Sequence, residues 1–171
     1  MTRRTLFWKL AYLAIAVGAF MIDQTSKSWA AHSLRLGGEK SVISGFMSFA
    51  YAQNPGVAFS MFDQQGDAGR WGLSIVAFIA GVLVLFFFWR TPRYDDRILG
   101  TLALLLAGII GNLTDRLLHG HVIDFLLFDL HVPLAHPWPA FNVADSCICI
   151  AVLFFLIHSF RQKRSSTEIA P

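Results

Sequence analysis

Four long apolar stretches constrain the fold of this chain more than any other feature of its 171 residues. They run over about Leu6–Ile22, Trp71–Trp89, Ile98–Leu113 (or as far as Leu118) and Phe141–Phe160. A helix crosses the hydrocarbon core of a bilayer with about 20 apolar residues, within a range of roughly 17–25. The composition agrees, because only 15% of the residues are charged, against about 25% in soluble domains. The sequence therefore predicts an all-α membrane protein with four transmembrane helices.

The basic residues predict how these helices are oriented. Nine of the fourteen Lys and Arg residues flank the four spans on one side of the membrane, namely Arg3, Arg4, Lys9, Arg90, Arg93, Arg97, Arg161, Lys163 and Arg164. Since Lys and Arg favour cytoplasmic loops, we expect both termini in the cytoplasm and the segments 23–70 and 114–140 outside. This topology explains the basic pI, near 9.1, without a nucleic-acid partner.

The outer segments predict a small β-element. Two strand-like pieces, Ser41–Ala52 and Val57–Phe62, surround the turn signal Asn54-Pro55-Gly56. A further β-branched and aromatic stretch, Val122–Leu130, follows the third span. Residues 63–70 read as a polar link, and the tail over about 161–171 reads as short, polar and disordered. We expect one domain over residues 1–171, a four-helix membrane domain with a small outer β-element.

Polar groups at membrane depth are energetically costly, so each is a candidate for function. Five polar clusters lie on the outer side or at the outer end of a predicted helix: Asp23-Gln24-x-x-Lys27, Asn54-x-Gly56-x-Ala58-Phe59, Gly111-Asn112-x-x-Asp115-Arg116, Val122-x-Asp124-Phe125 and Phe141-Asn142-x-Ala144-Asp145. Four helices threaded in this order bring the five clusters into one layer. That convergence predicts a single site.

Helical spacing puts several of these side chains on common faces, namely Asn112, Asp115 and Arg116 in the third helix, and Asn142 and Asp145 at the start of the fourth. We therefore expect Asp145 to point inward with Asn142 rather than toward lipid. Gly108 lies one turn below Asn112, where small residues permit close helix approach.

Two carboxylates, Asp124 and Asp145, predict the chemistry of this layer. In one partly buried pocket, desolvation and like-charge repulsion raise the pKa of one carboxyl, so the pair shares a proton near neutral pH. The ionised member then deprotonates a water while the protonated member hydrogen-bonds a scissile carbonyl. This is aspartic-protease chemistry, which uses no metal and no cofactor. The alternative from the residues alone is that Asp124 lies on a surface loop and Asp145 only caps the fourth helix.

Taken together, five blocks of the chain resemble the bacterial lipoprotein signal peptidase (signal peptidase II) family over nearly its full length. The blocks are Asp23-Gln24-Thr25-Ser26-Lys27, Asn54-Pro55-Gly56-Val57-Ala58-Phe59, Gly111-Asn112-Leu113-Thr114-Asp115-Arg116, Val122-Ile123-Asp124-Phe125 and Phe141-Asn142-Val143-Ala144-Asp145-Ser146. Each block alone is weakly specific, but five in the right order are highly specific. One departure is Val57, where the family often has a small residue.

The resemblance implies a role for each matching residue. Asp124 and Asp145 match the catalytic pair of the family. The positions that match substrate-binding residues are Asn54, Gly56, Asn112, Arg116 and Asn142. We expect supporting roles for Asp23, Lys27, Gly108 and Asp115.

The resemblance also implies an activity. Such enzymes remove the signal peptide from prolipoproteins, cutting just before a cysteine that carries diacylglycerol. The implied location is the bacterial inner membrane, with the active site at its periplasmic face and membrane lipids as partners. Peptide antibiotics of the globomycin type are the implied inhibitors. The outer hairpin around Asn54 is expected to lie over the substrate, and the link 61–70 is expected to close as a flap.

Three other functions are compatible with some of these residues. A small proton-coupled transporter also uses intramembrane Asp, Asn and Arg, but here the polar groups lie at one end of the bundle. An assembly protein would use the polar pairs only to lock helix packing. A zinc hydrolase would need clustered ligands, whereas His119, His121, His131 and His136 show no such spacing.

Overall fold

The computed structural model describes residues 3–56, 66–92, 95–131 and 138–167. Four of its helices are long and apolar enough to cross a membrane. The helices are α1 (Arg3–Ser33), α2 (Gly66–Arg90), α3 (Asp96–His119) and α4 (Val143–Thr167). A three-stranded sheet consists of β1 (Glu39–Ile43), β2 (Met47–Asn54) and β3 (Val122–Phe128). The prediction of four membrane-spanning helices with a small β-element is therefore confirmed.

Helix α3 is the centre of the bundle, because it packs against each of the other three helices. An apolar core fills the space between α1, α2 and α3, with Phe88, Leu99 and Ala103 fully buried. The helices alternate in direction, so two ends can be distinguished. The sheet lies beside the C-terminal ends of α1 and α3 and the N-terminal ends of α2 and α4, which together we call the sheet end. The opposite end, which holds the beginning of α1, is called the terminal end.

The predicted end of the first span is wrong. The sequence places this boundary at Ile22, where the first polar cluster begins, but α1 continues to Ser33. Asp23 and Lys27 are therefore helical and lie one turn apart on a buried face. These polar residues make contacts inside the bundle and do not indicate the end of the helix.

The sheet also differs from its predicted form. Strands β1 and β2 form an antiparallel hairpin, and its turn is at Gly45, which has a φ of 69°, not at Asn54-Pro55-Gly56. Glycine adopts this left-handed conformation without a steric penalty. Strand β3 pairs antiparallel with β2 and completes the order β1-β2-β3. The predicted strand piece Val57–Phe62 and the position Val57 lie outside the described residues.

Two further boundaries are corrected by the helices. The polar link predicted over residues 61–70 lies partly outside the described residues, and residues 66–70 form the beginning of α2. The tail, predicted to be disordered from about residue 161, is helical as far as Thr167. The fourth helix begins at Val143 rather than Phe141, because Phe141 instead pairs with β3 through Leu126.

Candidate active site

The sheet end of the bundle collects the predicted site residues from five elements or their ends. The layer contains Asp23 and Lys27 of α1, Asn54 and Gly56 at the end of β2, Asn112, Asp115 and Arg116 of α3, Asp124 of β3, and Asn142 and Asp145 at the start of α4. Most of these side chains are buried, and Asn142 is completely inaccessible to solvent. The sequence prediction of a single polar layer therefore matches the arrangement of these residues.

Asp145 is held at the start of α4 by reciprocal capping. The Oδ1 atom of Asn142 accepts a hydrogen bond from the backbone N–H of Asp145 at 2.9 Å. In return, the backbone N–H of Asn142 donates to Oδ2 of Asp145 at 3.2 Å. This is the pattern of a capping box, which satisfies two backbone donors at a helix N-terminus. Asp145 therefore does cap α4, as the alternative from the sequence stated, and capping fixes where its carboxylate lies.

Asp124 is placed by strand pairing. It lies opposite Ala52 in the β2–β3 ladder, so Asn54, two residues further along β2, lies diagonally beside it. The Nδ2 group of Asn54 donates to Oδ2 of Asp124 at 3.0 Å. The Nδ2 group of Asn142 donates to Oδ1 of Asp124 at 2.7 Å. Asp124 is 3% exposed, so it is a buried strand residue and not part of a surface loop.

Two asparagines join the two carboxylates. Asn142 contacts both, because its side chain donates to Asp124 and its backbone N–H donates to Asp145. Asn112 donates from Nδ2 to Oδ1 of Asp145 at 2.7 Å and accepts a bond from Asn142 at 3.2 Å. Asp124 and Asp145, which we call the carboxylate pair, thus share one network of amide donors although they lie on different elements.

The electrostatics of this network favour a proton on the carboxylate pair. Burial raises the pKa of Asp124 to about 7, and the negative charge of Asp145 raises it as well. The hydrogen bonds from Asn54 and Asn142 and the positive charge of Lys27 act in the opposite direction. Desolvation dominates because it disfavours the ionised form of a buried carboxyl. Near neutral pH, Asp124 is therefore poised between its acid and its carboxylate form.

A buried ion-pair cluster of Asp23, Lys27 and Asp115 lies beside the carboxylate pair. The Lys27 ammonium is 2.8 Å from Oδ2 of Asp23 and 2.9 Å from Oδ2 of Asp115. Both carboxylates also bind backbone N–H groups of neighbouring elements. Asp23 accepts from Ala144 in the first turn of α4 at 2.8 Å, and Asp115 accepts from Ile123 of β3 at 3.1 Å. The cluster therefore ties α1 and α3 to the two segments that hold the carboxylate pair.

Arg116 connects α3 to the end of β2. Its guanidinium donates to the carbonyl of Gly56 at 3.0 Å and to the carbonyl of Asn112 at 3.2 Å. Its Nε is buried and has no hydrogen-bond partner among the described residues. A buried donor without a partner is costly. Arg116 therefore joins α3 to the end of β2 through two of its N–H groups.

Close packing against neighbouring helices explains Gly108 and Gly111 of α3. A Cβ atom on Gly108 would collide with the carbonyl oxygen of Ala144 and with the side chain of Ile148, both on α4. A Cβ atom on Gly111 would lie 2.6 Å from Oδ2 of Asp23. Gly108 is thus a packing residue that sets the distance between α3 and α4, and it has no polar role in the layer.

The role of Gln24 is not predicted from the sequence. The Nε2 group of Gln24 donates to Asp115 at 3.0 Å, to Asp23 at 3.1 Å and to the carbonyl of Gly111 at 3.3 Å. Gln24 therefore joins the two carboxylates of the ion-pair cluster. Its place next to Asp23, directly after the first apolar stretch, is a signal that could have indicated this role, since a polar residue at that depth needs a partner.

The histidines do not contribute to the layer. His119 and His131 are exposed and His121 is half-buried, while His136 lies outside the described residues. Burial, followed by the neighbouring His119, lowers the pKa of His121. Within the described ranges, no group of three or more His, Cys, Asp or Glu side chains is arranged to hold a metal ion.

Comparisons with known proteins identify the family. A family model described as Signal peptidase (SPase) II matches residues 15–161. The chain is 42% identical over 143 residues to a lipoprotein signal peptidase of Teredinibacter turnerae, with 82% of each chain covered. It is 36% identical over 159 residues to a lipoprotein signal peptidase of Alteromonas mediterranea, covering 93% of this chain and 85% of the relative.

A solved structure agrees with these relatives. A chain described as a bacterial membrane enzyme, determined at 2.3 Å resolution, superposes with a TM-score of 0.83 at 27% identity and covers 94% of each chain. A second bacterial membrane enzyme, at 1.9 Å, gives a TM-score of 0.75 at 28% identity, covering 86% of this chain and 91% of the other. Sequence and fold therefore lead to one conclusion: the chain belongs to the signal peptidase II family.

Proposed function

We propose that this chain is an aspartic endopeptidase that removes the signal peptide from diacylglyceryl-modified prolipoproteins, cutting just before the lipidated cysteine. The observation that carries the proposal is the carboxylate pair, Asp124 and Asp145, held on one network of asparagine amides. The lipoprotein signal peptidases similar to this chain support the substrate class. The transporter considered from the sequence has no support among the matching family, relatives and structures.

The carboxylate pair supplies the chemistry of peptide hydrolysis when it holds one proton. The ionised member takes a proton from water, and the water oxygen attacks the scissile carbonyl carbon. The protonated member hydrogen-bonds the carbonyl oxygen and stabilises the negative charge that develops there. As the tetrahedral intermediate collapses, the leaving nitrogen takes a proton from the pair and the C–N bond breaks. One carboxyl is then again protonated and the other ionised, so the cycle closes.

The surroundings of the pair suit a substrate anchored in the bilayer. Asn54 and Gly56 lie at the end of β2, where Arg116 binds the carbonyl of Gly56. A signal helix and two acyl chains can remain among lipids while the scissile bond reaches the sheet end. We expect Asn54, Gly56, Asn112, Arg116 and Asn142 to orient that peptide segment.

The test of the proposal is cleavage of a diacylglyceryl-modified prolipoprotein by purified wild type, Asp124→Asn and Asp145→Asn proteins. Each substitution should lower the cleavage rate at least about 100-fold, because it removes an acid–base group. The matched control is Asp129→Asn, since Asp129 lies just beyond β3 and contacts His131 rather than the pair. This control should cleave like the wild type. A metal chelator should have no effect.

Three outcomes would contradict the proposal. Cleavage that survives both Asn substitutions in folded protein would show that the carboxylate pair does not carry out the hydrolysis. No cleavage even by the folded wild type would favour the assembly function, in which polar pairs only lock helix packing. Cleavage lost on chelation and restored by metal would assign the hydrolysis to a metal enzyme. Thermal unfolding of each variant separates loss of chemistry from loss of folding.

Sensitivity to globomycin-type peptide antibiotics is part of the same proposal. Because such a compound would compete for the substrate site at the sheet end, saturating inhibitor should abolish cleavage by the wild type. The measurement is the cleavage rate against inhibitor concentration. Normal turnover at saturating inhibitor would contradict this expectation.

The proposed location is the bacterial inner membrane, with both termini in the cytoplasm and the carboxylate pair at the periplasmic face. The excess of Lys and Arg at the terminal end supports this orientation. The variant Lys40→Cys, which changes an exposed residue of β1, should react with an impermeant maleimide added from the periplasm. A cysteine at Thr91, at the terminal end of α2, should react only after lysis. The reverse pattern would overturn the orientation.

A further inference from the structure

Lys27 is a buried charge that the proposed hydrolysis does not use. It is 1% exposed, and its ammonium contacts Asp23 and Asp115 at 2.8 and 2.9 Å. It makes a third contact, donating to Oδ1 of Asn112 at 3.0 Å. The ammonium has three N–H donors, and Asn112 accepts the one that the two carboxylates leave over. The third contact links the ion-pair cluster to the carboxylate pair.

The contact fixes which way the amide of Asn112 faces. Its Oδ1 accepts from Lys27 and from Nδ2 of Asn142, so its Nδ2 is directed at Asp145, 2.7 Å away. A flipped amide would place its NH₂ group against two donors and its oxygen against the Asp145 carboxylate. An ammonium is a donor in every orientation, so Lys27 makes the flipped arrangement costly. Asn112 therefore presents an N–H to Asp145 because Lys27 holds its oxygen.

The other two asparagines of the layer are fixed in the same manner by backbone donors. The Oδ1 of Asn54 accepts from the N–H of Gly56 at 3.1 Å, and the Oδ1 of Asn142 accepts from the N–H of Asp145. Each amide then turns its NH₂ group toward Asp124. Asn112 accepts no such backbone N–H among the bonds of the described residues. Lys27 takes the place of that donor.

The charge of Lys27 also acts on the carboxylate pair through space. Among the described residues, the charged groups that face Asp124 are Asp145 from α4, Lys27 from α1 and Arg116 from α3, which interacts with both carboxylates. The amides of Asn54 and Asn142 complete its surroundings. The positive charge of Lys27 lowers the pKa of Asp124 and so offsets part of the effect of burial and of Asp145.

We propose that Lys27 is a positioning residue of the peptidase, which orients the Asn112 amide toward Asp145 and adjusts the protonation of the carboxylate pair by its charge. This inference rests on the proposed function, because it assigns Lys27 a task in that reaction. Lys27 does not contact the reacting atoms. Its effect reaches Asp145 through Asn112 and reaches Asp124 through the electrostatic field.

The experiment uses three variants, namely the single variants Lys27→Met and Asp115→Asn and the double variant Lys27→Met/Asp115→Asn. The single variant removes the donor to Asn112 and the positive charge together. The double variant loses one positive and one negative charge, so it leaves one buried carboxylate, Asp23, without its cation instead of two. The difference in kcat between the double variant and Asp115→Asn alone reports the contribution of Lys27. For each variant, kcat, KM and the pH dependence of kcat are measured on the folded, purified enzyme.

Two results are expected if Lys27 positions the pair. The double variant should have a kcat about ten-fold or more below that of Asp115→Asn with little change in KM, because misplacing a catalytic group lowers the rate of the chemical step. The pH profile of Lys27→Met should move upward by roughly 0.5 pH unit or more, because a lost cation no longer favours the ionised carboxylate.

A matched control is available on the same helix. Lys9 of α1 is also a buried lysine, but among the described residues it donates to the carbonyls of Phe88 and Trp89 at the terminal end. Lys9→Met should lower the melting temperature and leave the pH profile of the folded enzyme unchanged. The inference is overturned if the Lys27 variants also lose only thermal stability. In that case Lys27→Met would have the kcat and pH profile of the wild type, and the double variant would have those of Asp115→Asn. If the wild type itself does not cleave the prolipoprotein, the proposed function fails instead.

Discussion

The two buried lysines of α1 show how differently the two ends of the bundle use polar groups. Lys9 and Lys27 are 18 residues apart, five turns of 3.6 residues, so they project from the same face of the helix. Lys9 binds the carbonyl oxygens of Phe88 and Trp89, at 3.1 and 2.6 Å, where α2 ends. Lys27 instead binds two carboxylates and the amide of Asn112.

The difference teaches which buried polar groups of this protein are structural. At the terminal end, polar side chains satisfy backbone groups that the helix ends leave unpaired, as Lys9 does for α2 and Asp95 does as the N-cap of α3. At the sheet end, polar side chains bind backbone groups as well, but they also bind one another, and those contacts converge on Asp124 and Asp145. Contact with this network, and not burial alone, is what we expect to decide whether a residue affects activity.

The largest expected effect on cleavage is at the N-cap of α4, in contrast to the N-cap of α3. Asn142→Ala removes the cap of α4 and the amide donor to Asp124. We expect unfolding free energy to fall by about 1 kcal/mol and cleavage to fall on the order of 100-fold, because a misplaced catalytic group costs about that much. The measurements are thermal unfolding and the cleavage rate of the folded fraction.

Asp95→Ala is the control for this prediction. Asp95 caps α3 at the terminal end by accepting from the backbone N–H of Ile98. It should cost a similar amount of stability and leave the cleavage rate unchanged. Equal losses of activity in the two variants would show that capping alone, and not contact with the carboxylate pair, explains the effect of Asn142.

A smaller effect is expected from two glycines of α3. Gly108→Ala places a methyl group against the carbonyl of Ala144 and the side chain of Ile148 on α4. Overpacking of this kind costs about 1–3 kcal/mol and displaces the helix that holds Asp145, so both stability and cleavage should decrease. Thermal unfolding and kcat are again the measurements.

Gly100→Ala gives the matched change at the terminal end of the same helix. Within the described part of the chain, a methyl group there meets a ring carbon of Tyr12 at 3.7 Å, an ordinary contact. Since alanine favours helix by about 0.5–1 kcal/mol over glycine, this variant should be slightly more stable and equally active. If Gly100→Ala lost as much activity as Gly108→Ala, the proposed difference between the two ends of the bundle would be wrong.

The smallest expected effect concerns Ser146, which follows Asp145. Its hydroxyl donates to the carbonyl of Asn142 at 3.0 Å, so it satisfies the backbone within the sheet end. Ser146→Ala should change kcat by less than about two-fold, because one neutral hydrogen bond contributes only about 1 kcal/mol to stability and none of the proposed chemistry. Loss of cleavage on this substitution would instead assign a nucleophile to the site.

The sequence predicts the bundle well and the details of the sheet end less well. The four spans follow from long apolar runs, and Asn112 with Arg116 and Asn142 with Asp145 follow from helical spacing. The sequence misplaces the end of α1 because Asp23 is polar. Its partner Ala144 lies 121 residues away in the chain, so the contact that buries Asp23 inside the helix cannot be inferred from local sequence. The hairpin turn was misplaced because Asn54-Pro55-Gly56 is a stronger turn signal than Gly45.

The roles of single side chains were beyond the sequence for the same reason. Gln24 contacts Asp115 across 91 residues of chain, and Gly111 is defined by a carboxylate on another helix. Local patterns report which residues are polar or small. Which partners they meet depends on how α1, α3 and α4 pack, and spacing within one helix contains no information about that.

The most direct test of the account is the protonation of Asp124. The central claim is that a buried, amide-lined layer leaves the carboxylate pair with one shared proton near neutral pH. Infrared difference spectra between the wild type and Asp124→Asn, recorded in lipid bilayers across a pH series, report the neutral carboxyl directly. The account predicts a neutral-carboxyl band that disappears as pH rises through about 7, with kcat falling over the same range as the shared proton is lost. Absence of that band at all pH values above about 5, as for an ordinary aspartate, would contradict the account.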